Sequence, residues 1–576
     1  AEGEKQLADG LEDLKEAEKA VQKLSDKWTI LERRQLYGME TYRNSVLQMK
    51  SIASVFPAFF VLVAALVCTT TMTRMIDEQR GQMGVLRTLG FSRIECSALY
   101  VFYALAAGLA GTLTGSIVGM LILPRIIYHA WGMMYVLPPF HLQVPWGHCL
   151  FSIVIFSGTL LAATLSVSRR ELQEVPASLL RPKALLNLHS LFMEKWRLWR
   201  HVRFIHKVTI RNLFRYKKRF ILTVLGVAGC TALLVTGFGI RRSIAAMVDL
   251  QYRDISHYDA LVYPKHTSDF KPLTSALRAL SSSAQCENIS AFAGSLKNAS
   301  FTMDIDVMVF SSMEDQARAL TMRTRQHHEV LEMKDEGIYI SEKTAENLHV
   351  QVGDEVQLQN ADGESQKVRI AGVYESYLEQ KVIMSKQAYH TVFNSLLKEN
   401  SLLVQVPAEQ LPILRKMLEK EDRVKEIIFA ADLADRYDRM MGSLGLIVGV
   451  IVICSMALTF VVVGNLTMIN IAERTREIAT LKVLGFRKEE TRRFIILENS
   501  ILIVLGAMCG LLPGIGLHHW IMRQVEMTTV MFYRSVYGID LLLAFVLTLI
   551  FGALVNRLLQ KQLDAVEMVE SLKSVE

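Results

Sequence analysis

The stretch EQRGQMGVLRTLGF, from Glu78 to Phe91, returns 395 positions later as ERTREIATLKVLGF, from Glu473 to Phe486. Both copies open on glutamate, carry a basic residue between two leucines and close on Gly-Phe. Each copy is short, charged and amphipathic, and each lies between apolar stretches of about 20 residues, the length that a helix needs to cross a bilayer. The repeat therefore predicts two copies of one membrane module.

The amino-acid composition also indicates a membrane protein. The chain of 576 residues is 51% hydrophobic and only 21% charged, which excludes an ordinary soluble globular protein and predicts a membrane α-helical fold. Seven stretches are long and apolar enough to span a bilayer. They lie at 51–73, 96–123, 147–167, 220–240, 442–467, 494–520 and 539–558.

The distribution of Lys and Arg predicts the orientation. The segment 168–219 and both copies of the repeated pattern are rich in basic residues, so the positive-inside bias makes these three regions cytoplasmic. Seven spans then leave residue 1 outside, Glu576 inside and the large insert 241–440 outside. The formal charge of +7 is attributed to cytoplasmic loops that face anionic lipid, and nucleic acid is excluded as a partner.

These patterns divide the chain into seven parts. The first 30 residues place apolar side chains at alternating spacings of three and four, which is typical of a coiled-coil seam. The expected parts are an extracytoplasmic coiled-coil arm (1–50), a first permease-like module of three spans (51–167), a basic cytoplasmic linker with an interfacial elbow helix (168–219), the first span of the second module (220–240), an extracytoplasmic α/β domain (241–440), the remaining three spans of the second module (441–558) and a cytoplasmic tail (559–576).

The two modules are unequal, because nothing in the first corresponds to the span 220–240. We therefore expect at least one further span before residue 1. The narrow apolar seam of the arm needs a partner helix, and the simplest partner is an outgoing arm upstream, which would complete an antiparallel hairpin stalk.

The outer insert has the pattern of a small α/β domain. The stretch GIYISEKTAENLHVQVGDEVQLQN from Gly337 predicts a strand, a helix, a tight turn at Gly353-Asp354 and a second strand. A helix is predicted at 411–418 and a strand at 424–429. Asp354 is assigned to turn chemistry and not to catalysis.

Several kinds of chemistry are missing from the sequence. No Gly-x4-Gly-Lys-Ser/Thr loop occurs, so the chain does not cradle nucleotide phosphates in the usual way and is not its own ATPase. No cysteine pair has zinc spacing, no hydrolase motif is present, and no enzyme activity or cofactor is predicted. The pairs His327-His328 and His518-His519 are assigned to surfaces or interfaces. The remaining ionisable residues of the spans lie near span ends, which disfavours a proton-coupled carrier; they are His148, Glu498, Asp540 and Arg557.

The repeated pattern is the main functional signal. At a cytoplasmic turn, a short charged helix can dock a soluble partner through charge pairs, while its leucines fill an apolar slot or pack on the spans. An ordinary positive-inside loop is the alternative for one copy, but two matched copies favour docking. The candidate contact residues are Glu78, Arg80 and Arg87 in the first copy and Glu473, Arg476, Glu477 and Lys482 in the second.

Glycines spaced four apart are the second signal. Small residues at this interval let transmembrane helices approach closely, and the same faces can form an interface between two permease halves. The candidate packing residues are Gly111, Gly115, Gly119, Gly445, Gly449, Gly506, Gly510 and Gly514.

On these residues the chain resembles the FtsX-like permease family of ABC transporters, which includes macrolide-exporter-type and lipoprotein-release permeases. The resemblance rests on both copies of the repeat, on the elbow RNLFRYKKRF from Arg211 and on the glycine-rich span that opens at Glu498. It covers about 51–185 and 205–576. The arm running into VFPAFFVLVAALVCTTTMTRMIDEQR (Val55–Arg80) is similar to the large two-module permeases of Gram-positive bacteria.

This resemblance implies four spans per module, an outer domain between the first and second span, and a separate cytoplasmic ATPase, as a dimer, that receives each repeated pattern as a coupling helix. Such permeases turn ATP-driven dimerisation of the ATPase into motion of outer domains. The first copy departs from the pattern, since Gly81 and Gly84 stand where the second has Arg476 and Ala479. We therefore expect the first copy to contact the ATPase more weakly.

Two functions follow from the resemblance. In the first, the chain is the permease subunit of an ABC transporter in a bacterial plasma membrane, and exports or extracts a lipophilic compound, a peptide or a lipoprotein. In the second, it is a regulatory mechanotransmitter that activates a cell-wall hydrolase or a signalling partner. Nothing in the sequence selects the substrate.

Overall fold

The computed structural model describes residues 37–132, 136–173, 175, 207, 211, 217–280, 284–298, 301–473, 483, 488–526 and 529–558. The predicted coiled-coil seam, most of the basic linker with its elbow, and the C-terminal tail lie outside these residues. The chain divides into two compact units, 1–51 and 52–576. Of the first unit the structure describes 37–51, which is helical.

The helices and strands follow one another in a simple order. The membrane part begins with α1 (Tyr37–Glu78), α2 (Arg80–Thr88), α3 (Arg93–Gly132), α4 (Trp146–Leu172) and α5 (Lys217–Asp249), which continues into a π-helical turn (Leu250–Ile255). The outer domain contains β1 (Ala260–Pro264), α6 (Phe270–Leu280), β2 (Gln285–Asn298), β3 (Phe301–Phe310), α7 (Met313–Ala319), β4 (Ile338–Ser341), α8 (Glu342–Leu348), β5 (Glu355–Gln359), β6 (Ser365–Tyr374), β7 (Lys381–Ser385), α9 (Lys386–Phe393), β8 (Ser401–Gln405), α10 (Leu411–Leu418) and β9 (Val424–Phe429). The chain returns to the membrane with α11 (Ala430–Glu473), α12 (Lys488–Val525) and α13 (Gly538–Leu558).

The predicted helical membrane fold is confirmed. Within the described residues, seven helices are long and apolar enough to cross a bilayer, and each overlaps one predicted span. Their apolar sections run over Pro57–Glu78, Arg93–Gly132, Trp146–Arg170, Phe220–Ile255, Val448–Ile469, Ile496–Val525 and Gly538–Leu558. Most of these helical sections are longer than the predicted spans. The reason is that the helix continues beyond its most apolar residues into polar residues at one or both ends.

Helix α5 lies at the centre of the second module. Two thirds of its most apolar window is buried (67%), and it packs against α11, α12 and α13. Hydroxyl and amide side chains add hydrogen bonds between helices, as at Thr231 to Thr548 (3.2 Å) and Asn499 to Thr467 (2.7 Å). Asn465 of α11 donates to Thr71 of α1 at 3.1 Å. Such polar contacts help to hold helices together in hydrocarbon, where packing gains nothing from the exclusion of water.

The outer domain is built on one nine-stranded sheet of order β3-β7-β4-β6-β5-β2-β8-β1-β9. Strand β2 also pairs with β3, so the first six strands close on themselves. Their apolar faces form one core together with α8 and α9. Strands β1, β8 and β9 form a second core with α6 and α10.

The sequence predictions for the outer domain are confirmed. Helix α8 lies between β4 and β5, and α10 and β9 begin and end at the predicted residues. Gly353 has a positive φ of +101°, a conformation that favours glycine. Beside it the Asp354 carboxylate accepts a hydrogen bond from the Gln351 amide at 2.7 Å, which gives Asp354 the predicted turn role.

Candidate functional site

The first copy of the repeated pattern folds into the short helix α2, which joins the ends of α1 and α3. Its Met83 is buried and packs with Ile76 of α1, Tyr100 of α3 and Leu172 of α4. The Tyr100 hydroxyl donates to the Gln79 side-chain carbonyl at 2.9 Å, just before α2 begins. Helix α2 is therefore anchored to three spans at once.

The chain turns sharply after α2 because Gly90 takes a positive φ of +96°, which a side chain would strain. The next helix starts with a reciprocal cap. The Glu95 amide donates to the Ser92 hydroxyl at 3.2 Å, and the Ser92 amide donates to the Glu95 carboxylate at 2.7 Å. The shared Gly-Phe ending of the pattern thus sets the angle between α2 and α3.

Apolar side chains in the second half of α2 and at its C-terminal end are exposed. We call Val85, Leu86 and Leu89 the docking face; all three are exposed, and Leu89 is 70% exposed. Phe91 is also exposed. Leu86 and Leu89 thus keep an exposed surface that can enter an apolar slot, and whether they do so or pack on the spans stays a prediction.

Several of the charged residues that are predicted to contact a partner also interact with other residues of this chain. Glu78 accepts from Arg74 at 3.4 Å, one helical turn earlier, and Arg87 donates to the Phe91 carbonyl at 3.1 Å. Arg80 is half-buried in α2. These contacts stabilise the turn, and the same side chains give it its charge.

Of the second copy, the structure describes Glu473 and Val483. Glu473 is the last residue of α11, which places it at the same helix end as Glu78 in α1. The other candidates of this copy, Arg476, Glu477 and Lys482, lie outside the described residues, and their contacts stay predictions.

The candidate packing glycines differ between the modules. Gly506, Gly510 and Gly514 of α12 lie directly against α5. A Cβ built on Gly111, Gly115, Gly119, Gly445 or Gly449 would meet no described atom within 4 Å. His518, one of the paired histidines, is buried in the α12–α5 contact with its Nε2 atom 3.0 Å from the Ser243 hydroxyl.

The structure adds a link that the sequence analysis missed. The loop between α12 and α13 carries Glu526 and Arg534, which form a two-pronged ion pair, and Arg534 also donates to Glu346 of α8 at 2.9 Å. Lys343 of α8 donates to Glu526 at 3.0 Å. Two acids and two bases thus join the membrane loop to the outer domain; we call them the charge clamp.

The charge clamp is buried and strongly polarised. The side chains of Arg534 and Glu526 are 4% and 2% exposed. Burial alone would raise the pKa of Glu346, but the Arg534 and Lys343 cations outweigh it and hold that pKa below its ordinary value. Burial would likewise lower the pKa of Arg534, yet the two carboxylates raise it. The pairing therefore favours the ionised forms of Glu346 and Arg534.

A second link starts from the π-helical turn at the outer end of α5. The buried Gln251 side-chain carbonyl accepts from the backbone amides of Tyr377 and Leu378, at 2.8 and 3.2 Å. The Tyr377 carbonyl in turn accepts from the Met531 amide in the α12–α13 loop at 2.9 Å. Single-turn π-helices often occur at functional positions. This one joins α5, the outer domain and the loop.

These features define a class of protein: a multi-pass membrane protein with a short charged helix between two spans and a large α/β domain bound to its spans. Comparison with known families agrees. The FtsX-like permease C-terminal family matches residues 54–172 and 449–563, and the MacB-like periplasmic core domain family matches 220–420. The chain thus carries the FtsX-like permease segments and the MacB-like periplasmic core domain of ABC-transporter permeases, with the core domain outside the cytoplasm.

Individual relatives match parts of the chain. The macrolide export ATP-binding/permease protein MacB of Bordetella avium (strain 197N) is 24% identical over 166 residues, which is 29% of this chain and a quarter of that protein. The extracellular domain of the noncanonic ABC-type transporter YknZ from Gram-positive bacteria is 14% identical, with a TM-score of 0.20 over 29% of this chain and 99% of its own. The periplasmic region of MacB from Actinobacillus actinomycetemcomitans is 12% identical, with a TM-score of 0.21 over 32% and 94%.

Proposed function

We propose that this permease couples ATP hydrolysis by a separate cytoplasmic ATPase to motion of its outer domain. The observation that carries the proposal is the geometry of α2, whose docking face is exposed while its Met83 packs against three spans. A partner that pushes on the docking face moves α1, α3 and α4 together. The bases of the turn complement an acidic groove rim on such a partner.

Contacts between the spans and the outer domain can transmit this motion to the outer domain. Helix α5 and the α12–α13 loop are tied to the outer domain through Gln251 and the charge clamp, so a shift of these spans displaces the domain. In this proposal the outer domain acts on a lipophilic compound, a peptide or a lipoprotein at the outer leaflet. The name of the MacB relative, a macrolide exporter, supports a lipophilic cargo.

The docking face can be tested by placing charge on it. Val85→Asp together with Leu89→Asp should lower co-purification of the ATPase at least tenfold, because two carboxylates cannot enter an apolar slot without losing their hydration. Ile413→Asp on α10 is the matched control, since it makes the same kind of exchange at an exposed position of the outer domain. Full binding by the double variant would contradict the coupling assignment.

The proposed orientation places the N-terminal arm and the outer domain outside, and the C-terminus inside. In a chain whose native cysteines are replaced, Leu396→Cys in the outer domain should react with an impermeant maleimide on intact cells. Leu89→Cys should react only after the cells are permeabilised. The opposite pattern would invert the topology and remove α2 from reach of a cytoplasmic ATPase.

A further inference from the structure

An arginine is held in a fixed position where α5 and α13 approach the outer domain. The Arg242 Nε atom donates to the Asp540 carboxylate at 2.8 Å, and the Arg242 guanidinium lies over the Tyr537 ring, 5.6 Å from its centroid. The Tyr537 ring stacks on Tyr533 at 5.2 Å, and Tyr533 lies 6.4 Å from Tyr377 of the outer domain, measured between ring centroids. The arginine therefore lies on the outer side of the membrane, beside the contacts to the outer domain.

The carboxylate of Asp540 keeps this guanidinium in place. The Asp540 side chain is 6% exposed, and its Oδ2 atom has no hydrogen-bond partner among the described residues. Breaking the pair with Arg242 would leave a buried charge without compensation, which is costly. A ligand of Arg242 must therefore bind the part of the guanidinium that Asp540 does not use.

The unused part of the guanidinium is accessible. The Arg242 side chain is 45% exposed, and within the described residues its polar partner is Asp540, which is bound through Nε. The N–H groups on Nη1 and Nη2 thus remain available as donors. Two parallel N–H groups of a planar guanidinium match two oxygens of one phosphate group.

The depth of Arg242 in the membrane indicates which ligand carries the phosphate. Helix α13 has 21 residues and is about 31 Å long, close to the thickness of about 30 Å of bilayer hydrocarbon. Asp540 is its third residue, so the guanidinium lies at the outer border of the hydrocarbon, next to the lipid headgroups. An exposed apolar stripe of α13 begins beside Asp540 and continues into the hydrocarbon at helical spacing. It consists of Ile539, Leu542, Leu543 and Val546.

We propose that Arg242, held by Asp540 and Tyr537, binds the phosphate group of a lipid in the outer leaflet, and that an acyl chain of this lipid lies along the exposed stripe of α13. The site goes beyond the proposed coupling function and does not depend on it. A free phosphate ion offers the same oxygens to Arg242 but has no chain to place on α13.

Native mass spectrometry of the purified and delipidated chain tests the site. The first equivalent of dioleoylphosphatidylglycerol should bind about tenfold more weakly to the double variant Arg242→Gln, Asp540→Asn than to the parent, because charge-assisted hydrogen bonds to the phosphate are lost. The paired amides retain a hydrogen bond between α5 and α13. Arg241→Gln is the matched control, since it removes the same charge from the neighbouring exposed residue, which has no ion pair among the described residues, and should keep the parent affinity.

Two further ligands and a conservative variant complete the test. Dioleoylglycerol, which has the same chains and no phosphate, should bind about tenfold more weakly than the phospholipid, and millimolar inorganic phosphate should not displace the phospholipid. Arg242→Lys keeps the charge but loses the planar fork, and should bind with intermediate affinity. The same loss in Arg241→Gln as in the double variant would mean that the lipid responds only to the charge of the region, and displacement by inorganic phosphate would assign the site to the free ion. Either result, or an unchanged affinity in the double variant, would overturn the proposal.

Discussion

Replacing Arg534 by methionine should lower the free energy of unfolding by about 3 to 5 kcal/mol, the usual cost of removing one partner from a buried ion pair. The substitution keeps a long apolar stem but leaves the Glu526 carboxylate, which is 2% exposed, with Lys343 as its one remaining charged partner in the clamp. Denaturant unfolding of the purified permease in detergent measures the loss.

Two controls separate the charge effect from lost packing. Lys367→Met removes an exposed cation 4.0 Å from Glu355 and should cost less than about 1 kcal/mol. Glu526→Gln combined with Arg534→Met removes both buried charges, leaves Lys343 paired with Glu346 at 3.3 Å, and should recover part of the loss. If the single Arg534 variant unfolded like the parent, the clamp would contribute nothing to holding the loop on the outer domain.

The clamp also has a defined dependence on pH. The folded-state pKa of Glu346 lies below its ordinary value of 4.5, so the stabilisation from its pairing is fully present above that value and is lost as the pH falls through the lowered pKa. Glu346 is partly exposed, and solvent screening keeps its share small.

The sequence was most informative where the signal was local. Apolar length predicted the seven spans, and strand, helix and turn patterns predicted α8, α10 and β9. The repeat predicted α2, because the two copies of the pattern can be compared with each other within one sequence. The exposure of Leu86 and Leu89 was left open, since an amphipathic helix of nine residues looks the same whether its leucines meet lipid, spans or a partner.

The charge clamp and the hydrogen bonds of Gln251 could not be predicted from local signals in the sequence. Glu526 and Arg534 stand in a loop that is otherwise poor in charge, which was a usable hint, but their partner Glu346 lies 188 positions from Arg534. In the sequence, Gln251 cannot be distinguished from other polar residues at the end of a helix. Long-range partners of single polar residues have no periodic signature, so only the folded chain reveals them.

Replacing Gln251 by leucine should cost about 2 to 6 kcal/mol, because the variant leaves the buried amides of Tyr377 and Leu378 without their acceptor, and each lost partner costs about 1 to 3 kcal/mol. Gln366→Leu on the exposed face of β6 is the matched control and should change stability by less than about 0.5 kcal/mol.

The Gln251 variant also tests how force reaches the outer domain. With the Tyr377–Met531 bond still present, the α12–α13 loop stays attached, while the end of α5 loses its side-chain hydrogen bonds to Tyr377 and Leu378. The variant should therefore keep ATPase binding through α2 and lose part of the ATP-driven motion of the outer domain, read as a distance change between spin labels on α10 and on the outer end of α5. Equal motion in the variant and the parent would mean that the loop and its charge clamp carry the movement, and that the π-helical turn serves stability alone.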